Sequence, residues 1–350
     1  RNLIKHKQEV MIGYSDSSKD AGKMCASWHQ YKAQEEIVKL GNKYKIDITF
    51  FHGRGGSAGR GGGPIQATLR SLPPYSVNGK IRITDQGEVI QQKYGYEPLA
   101  KYNLCSYIGA VSQASLNPPP QPKNSWRTLI EKMAEISKSS YRKNINQNSD
   151  FIKYFKTVTP HVSLSKLSIG SRPSKRKNVD NIQSLRAIPW VFSWTQIRYN
   201  LSGWFGMGTA LDKAVKDEKN LEEMKSYFMQ SKFFRQLLDN MSFEMARSRL
   251  EISLLYSKSK EEISFHNAVE SEFNLLLNAY KKITGYNTLL ERNKIIDSSI
   301  RFRNPFTDIL NCAQAELLDR YRSVNEKNVE LDNAIFLSIN HIAAAMQTTG

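Results

Sequence analysis

A chain of 350 residues is too long for one small core, so its length implies two domains or one large α/β barrel with additions. Apolar residues make up 40% and aromatic residues 10%, ordinary values that exclude a wholly disordered chain. Lys and Arg number 50 against 33 Asp and Glu, a net charge of +17, which favours anionic partners: nucleic acid, phosphate metabolites, di-acids or an acidic membrane surface.

In chain order, the first predicted strand is "EVMIGY" (9–14), followed by the polar "SDSSKDAG" (15–22) and a helix, "KMCASWHQYKAQEEIVKLGNKY" (23–44), whose apolar residues recur at spacings of three and four. A second strand, "IDITFF" (46–51), runs into "FHGRGGSAGRGGGP" (51–64), with "IQATLRSL" (65–72) as a candidate helix. "KIRITD" (80–85) before "QGEVI", and "LRAIPWVFSW" (185–194) before "TQIRYNLSGW", supply a third and a fourth strand. Strands alternating with helices argue for parallel β/α units, in which ligands gather at the carboxyl ends of the strands. Glycine and charged residues concentrate there.

"NPPPQPKNSW" (117–126) is a proline-rich connector, with Ser125 as a cap for the helix "WRTLIEKMAEIS". "SIGSRPSKRKNVDN" (168–181) is basic, punctuated by glycine and proline, and reads as a loop. From about Gly206 the pattern is helical throughout, ending where Ile335, Ile339, Ile342 and Met346 share one face. Cys25, Cys105 and Cys312 are odd in number and far apart, and with no CxxC or Cys/His motif recognised, neither a disulfide framework nor a zinc site is expected; a reducing cytoplasm fits. No apolar run approaches the roughly 20 residues that span a bilayer. The chain begins with Arg1 and enters a strand almost at once, so it reads as one entered midway.

Three groups of residues suit chemistry. Glycines let the backbone approach a ligand and turn N–H groups inward, and arginine offers a planar fork for phosphate or carboxylate, so the 51–64 loop reads as an oxyanion cradle. It matches neither a P-loop nor a dinucleotide fingerprint, and an RG-rich nucleic-acid-binding segment is its rival. Asp16 and Lys19, just beyond the first strand, suit a hard divalent cation and a developing negative charge, although helix capping by Ser15, Asp16 or Ser17 is the simpler reading of the spacing. Arg186 beside the fourth strand, with Arg172, Lys175, Arg176 and Lys177 before it, offers further anion contacts or a structural ion pair.

"MIGYSDSSKDAG", "FHGRGGSAGRGGGP", "GSRPSKRK", "SLRAIPWVFSWTQ", "RNPFTDILNCAQAELL" and the terminal "TTG", in this order and at these separations, resemble the C-terminal part of phosphoenolpyruvate carboxylases of the bacterial and plant type. The resemblance runs from about Glu9 to Gly350. It implies an α/β chain becoming mostly α: residues 1–205 as the C-terminal half of a catalytic (β/α)8 TIM-type barrel, and residues 206–350 as an all-helical block carrying an inhibitor site. It implies the carboxylation of phosphoenolpyruvate with bicarbonate to oxaloacetate and phosphate, through carboxyphosphate and enolpyruvate, in a cytoplasmic homotetramer without nucleic-acid or membrane partners.

By the same resemblance Asp16 is a ligand to Mg²⁺ or Mn²⁺, and Lys19 assists near bicarbonate and the enolate. His52 and Arg54 are the histidine and phosphate-binding arginine of the glycine loop. Arg60 closes on carboxyphosphate and CO₂ and is also reached by the feedback inhibitor. Arg172 is an active-site arginine of the basic loop, and Arg186 is a second phosphate-binding arginine. Aspartate or malate would be inhibitors: Arg303 matches that site's arginine, Arg247 stands where the family has lysine, and Thr348 where it usually has asparagine, which would weaken inhibition. Family members are well over twice as long, and their N-terminal part holds the catalytic histidine region, another phosphate-binding arginine and the glutamate that is the second metal ligand. Four strand units are also half of an eight-stranded barrel with a long unpaired edge. Both considerations imply a fragment, inactive unless the rest is supplied.

Overall fold

The structure is a computed structural model that describes residues 6–53, 64–84, 87–166, 185–323 and 329–347. Strand β1 (Lys7–Gly13) leads into α1 (Ser15–Ala21) and α2 (Lys23–Tyr44); β2 (Asp47–Gly53) is followed by α3 (Ile65–Arg70), and β3 (Arg82–Ile83) by α4 (Gly87–Tyr94) and α5 (Glu97–Leu116). Next come α6 (Asn124–Asn144), α7 (Phe151–Val158), α8 (His161–Lys166) and α9 (Ala187–Gln196). The remainder is helical: α10 (Met207–Val215), α11 (Glu218–Gln230), α12 (Lys232–Arg247), α13 (Leu250–Leu254), α14 (Lys260–Thr284), α15 (Lys294–Ser323) and α16 (Val329–Ala345).

The described residues therefore form a mostly helical chain with one small sheet. Its order is β1-β2-β3, both pairs parallel. Ile12 lies opposite His52, and His52 opposite Ile83, so the three strands finish at one level. Gly22 stands between α1 and α2 at φ 75°, a conformation that costs glycine little, with the Tyr141 ring packed against it.

Two sequence expectations need correction. "LRAIPWVFSW" is not a strand: residues 187–196 are the helix α9, buried on every side. A short continuous apolar run suits a buried strand and a buried helix equally, and Pro189 falls in the first turn, where its missing N–H costs no helical hydrogen bond. Ser125 is not a cap either. Helix α6 starts at Asn124 with Lys123 before it, and the Ser125 hydroxyl donates to Glu223 on α11.

The main core lies among the helices, from Met24 and Trp28 on α2 through Trp190 and Trp194 on α9 to Ile335 and Ile339 on α16. Ile335, Ile339, Ile342 and Met346 are all buried, as their spacing predicts. The sheet has a separate small cluster of Ile12, Tyr14 and Phe50. Helices α10 and α14 approach closely at Gly208, where a Cβ would meet the Glu272 carbonyl oxygen at 2.3 Å; the Glu272 carboxylate accepts from the Thr209 N–H at 3.0 Å and from its hydroxyl at 2.6 Å. No helix among the described residues is long and apolar enough to cross a membrane.

Candidate active site

The carboxyl ends of β1 and β2 meet through a buried bond: the Tyr14 hydroxyl lies 2.7 Å from His52 Nδ1. Parallel pairing puts them at the same end, and the apolar run before each residue carries it inward, so His52 is 1% exposed. Helix α1 then starts at Ser15, with Asp16 exposed in its first turn, where the helix dipole favours a carboxylate. Capping does not explain this segment. Tyr14 precedes the helix, no side chain caps it, and Ser17 Oγ donates to the carbonyls of Gly13 and Tyr14, 3.0 Å each.

One turn on, Lys19 is buried and its ammonium donates to the Leu185 carbonyl at 2.9 Å; Asp20 lies 3.8 Å away. Tyr141 on α6 donates to the Lys19 carbonyl at 2.9 Å, fixing the helix from behind. The Lys19–Leu185 bond ties α1 to the start of α9, where Arg186 precedes the first helical residue. Arg186 Nε is buried with no hydrogen-bond partner among the described residues. Asp16 and Lys19 thus follow the end of β1, His52 stands at the end of β2, and Lys19 holds Leu185, the neighbour of Arg186. Arg54, Arg60 and Arg172 lie outside the described residues.

A second cluster forms at the helical end. Arg247 on α12 and Arg303 on α15 both line a cavity of about 380 Å³, with Arg292, Asp239 and Gln347. Arg247 Nη2 donates to the Met346 carbonyl at 2.6 Å, and Arg303 donates to that of Ala345, so both hold the end of α16. Burial, then the charge of Arg247, lowers the Arg303 pKa. Burial raises the Asp239 carboxyl against Arg292 and Arg235, which lower it. Pro64 and Ala67, which follow the glycine loop, line the same cavity. Thr348 lies outside the described residues, directly after Gln347.

Sequence reasoning passed over Arg198. It is fully buried at φ 63°, donates to Asp308 and Asn304 at 2.8 Å each and to the Arg247 carbonyl at 3.3 Å. Burial pushes its pKa down to about 10. It joins the "RNPFTDILN" segment to the end of α12, and an arginine within "TQIRYN" was the available signal.

A family model described as phosphoenolpyruvate carboxylase matches residues 1–350. The chain belongs to the phosphoenolpyruvate carboxylase family. Relatives named phosphoenolpyruvate carboxylase include those of Marinomonas sp., 42% identical over 353 residues, Marinobacter nauticus, 41% over 357, and Escherichia coli, 42% over 361. Each alignment takes in 100% of this chain and 40% of the relative, so the chain spans about two fifths of the length of these phosphoenolpyruvate carboxylases.

Proposed function

We propose that this chain carries part of the site at which phosphoenolpyruvate and bicarbonate become oxaloacetate and phosphate, within a cytoplasmic homotetramer. On this reading β1 to β3 are strands of a closed (β/α)8 barrel formed by residues 1–205 with the part of the family that the chain does not span, and residues 206–350 form the helical block. Closure would pair the outer edges of β1 and β3. The observation that supports the reading is the Lys19–Leu185 bond, which joins the helix after β1 to the residue next to Arg186.

Bicarbonate oxygen attacks the phosphorus, the bond from phosphorus to the enol oxygen breaks, and carboxyphosphate and the pyruvate enolate result. Carboxyphosphate releases CO₂, leaving phosphate, and the enolate carbon captures the CO₂. Every species is an anion, so fixed positive charge lowers each barrier more than mobile water can. Arg186 and Arg54 grip the phosphate; the unsatisfied Nε of Arg186 is a donor already held for an oxygen. Lys19, one turn after Asp16, steadies bicarbonate and the enolate with its positive charge. His52, kept in place by Tyr14, sits beside the same oxygens. Arg60 and Arg172 close over carboxyphosphate, and exclusion of water keeps the enolate from protonation.

Asp16 would hold Mg²⁺ or Mn²⁺, which supplies charge to the developing enolate oxygen. An exposed carboxylate suits it, because Mg²⁺ takes one or two carboxylates and completes its shell with water and substrate oxygens. The second cluster we assign to aspartate or malate: two arginine forks facing one cavity suit a dicarboxylate, and the residues after the glycine loop line that cavity too, so occupancy would bear on Arg60. Thr348 offers a hydroxyl where a carboxamide usually reads the inhibitor, which weakens the site.

The experiment is to graft residues 1–350 onto the N-terminal part of the Escherichia coli relative and assay bicarbonate-dependent oxaloacetate formation with Mg²⁺, with and without aspartate. Turnover is expected in the graft and not in the 350-residue chain alone, with Thr348→Asn increasing sensitivity to aspartate. Clear turnover by the chain alone would overturn the shared-site reading.

A further inference from the structure

A group of donors lies away from both clusters. Cys25 and His29 are four residues apart on α2 and so share one face, and α6 lays Glu135 against them. The Cys25 sulfur, an imidazole nitrogen of His29 and a carboxylate oxygen of Glu135 all lie within 4.8 Å of one another, with His29 Nε2 3.8 Å from Glu135 Oε1. Bonds of about 2.0–2.3 Å in a tetrahedral zinc site put donors roughly 3.3–3.8 Å apart, so closing the group takes about 1 Å of movement. Cys25 is buried on a helix and anchors the group. The other two side chains are about half exposed, 49% and 52%, and free to make that movement.

Access also suits an ion. Cys25 and His29 line an open depression of about 450 Å³, which gives an ion and its water a way in. Lys138 donates to both oxygens of Glu135, at 2.9 and 2.8 Å; its ammonium is the cation an ion would displace, and its flexible stem can release into solvent. Thiolate and carboxylate together neutralise a doubly charged ion, with neutral imidazole as the third donor. A thiol ligates a metal only as the thiolate, so binding expels its proton.

We propose that Cys25, His29 and Glu135 bind one Zn²⁺, with the fourth position taken by water, and that the ion clamps α2 to α6. The donor set separates it from the Asp16 position: a sulfur ligand selects a zinc-like ion, whereas an oxygen-only position suits Mg²⁺ or Mn²⁺. Helices α2 and α6 are already joined by Arg127 to Glu35 and by Lys32 to Glu131, so the metal adds to an existing contact.

Co²⁺ serves as the spectroscopic stand-in. Titrating it into the purified metal-free protein should give one equivalent of a species with a thiolate-to-cobalt charge-transfer band and the intense visible bands of four-coordinate Co²⁺, both removed by Zn²⁺. Cys25→Ser should abolish the charge-transfer band. His29→Ala and Glu135→Gln, at exposed positions, should each weaken Zn²⁺ binding by about tenfold or more without lowering the melting temperature of the metal-free protein. A Cys105→Ser/Cys312→Ser double variant should leave the spectrum unchanged, since those are the exposed thiols. Weak six-coordinate bands alone, a band that follows Cys105 or Cys312, or unchanged Zn²⁺ affinity in both His29→Ala and Glu135→Gln would overturn the proposal and leave an ordinary surface ion pair.

Discussion

His266 on α14 is a buried histidine with a readable pH consequence. Its Nδ1 lies 2.7 Å from the Tyr199 hydroxyl, and burial lowers its pKa below the ordinary 6.5, with Glu270 acting in the opposite direction. The folded chain thus resists a proton that the unfolded chain accepts. Its stabilising share is complete above about pH 6.5 and is lost as pH falls through the lower, folded value. Thermal unfolding followed from neutral pH to about pH 5 should show the unmodified chain losing more stability than His266→Gln; parallel curves would remove His266 from the account. Arg198 is the other residue whose environment decides its effect. Arg198→Met strands Asn304 and the Arg247 carbonyl and leaves Asp308 to Arg249, 3.1 Å away. Denaturant unfolding should report a loss of about 3 kcal/mol, and a loss under about 1 kcal/mol would mean that Arg249 alone suffices.

Among the elements, α10 and α14 show how one missing side chain sets a helix contact. Gly208→Ala drives its Cβ against the Glu272 carbonyl, and backbone cannot step aside as a side chain does. A loss of roughly 1–3 kcal/mol is expected. Gly109→Ala on α5 is the control: nothing lies within 4 Å of its Cβ, and better helix propensity should leave it neutral or stabilised by roughly 0.5–1 kcal/mol. Equal effects at the two glycines would refute the packing argument. Element type was legible in the sequence where length or periodicity discriminated. Helix α2 spans residues 23–44, matching its periodic stretch, and the isoleucine face of α16 is buried as its spacing requires. It was illegible for α9, whose residues are apolar all round and so carry no period. The zinc donors escaped notice for a different reason: Cys25 and His29 look incidental until α6 supplies Glu135, far along the chain.

Over the whole molecule, the sequence marked the strands that precede Asp16 and His52 but not the helix that follows Arg186. Asp16, Lys19 and His52 follow strands that the sequence marked, and the structure sets those strands side by side and parallel. Arg186 was expected beside a strand and instead precedes a helix, next to the Leu185 carbonyl that accepts from Lys19. The net charge of +17 named anions as a class without dividing them, and the division between a substrate and an inhibitor is part of the proposal. The proposed anion chemistry at the strand ends turns on a metal held by Asp16. The most direct measurement is bicarbonate-dependent oxaloacetate formation by the Escherichia coli graft carrying Asp16→Asn, at saturating phosphoenolpyruvate and Mg²⁺. A fall in kcat of about a hundredfold or more is expected, with the fold retained by circular dichroism; an Asp16→Asn graft as fast as its parent would rule out a metal role for Asp16.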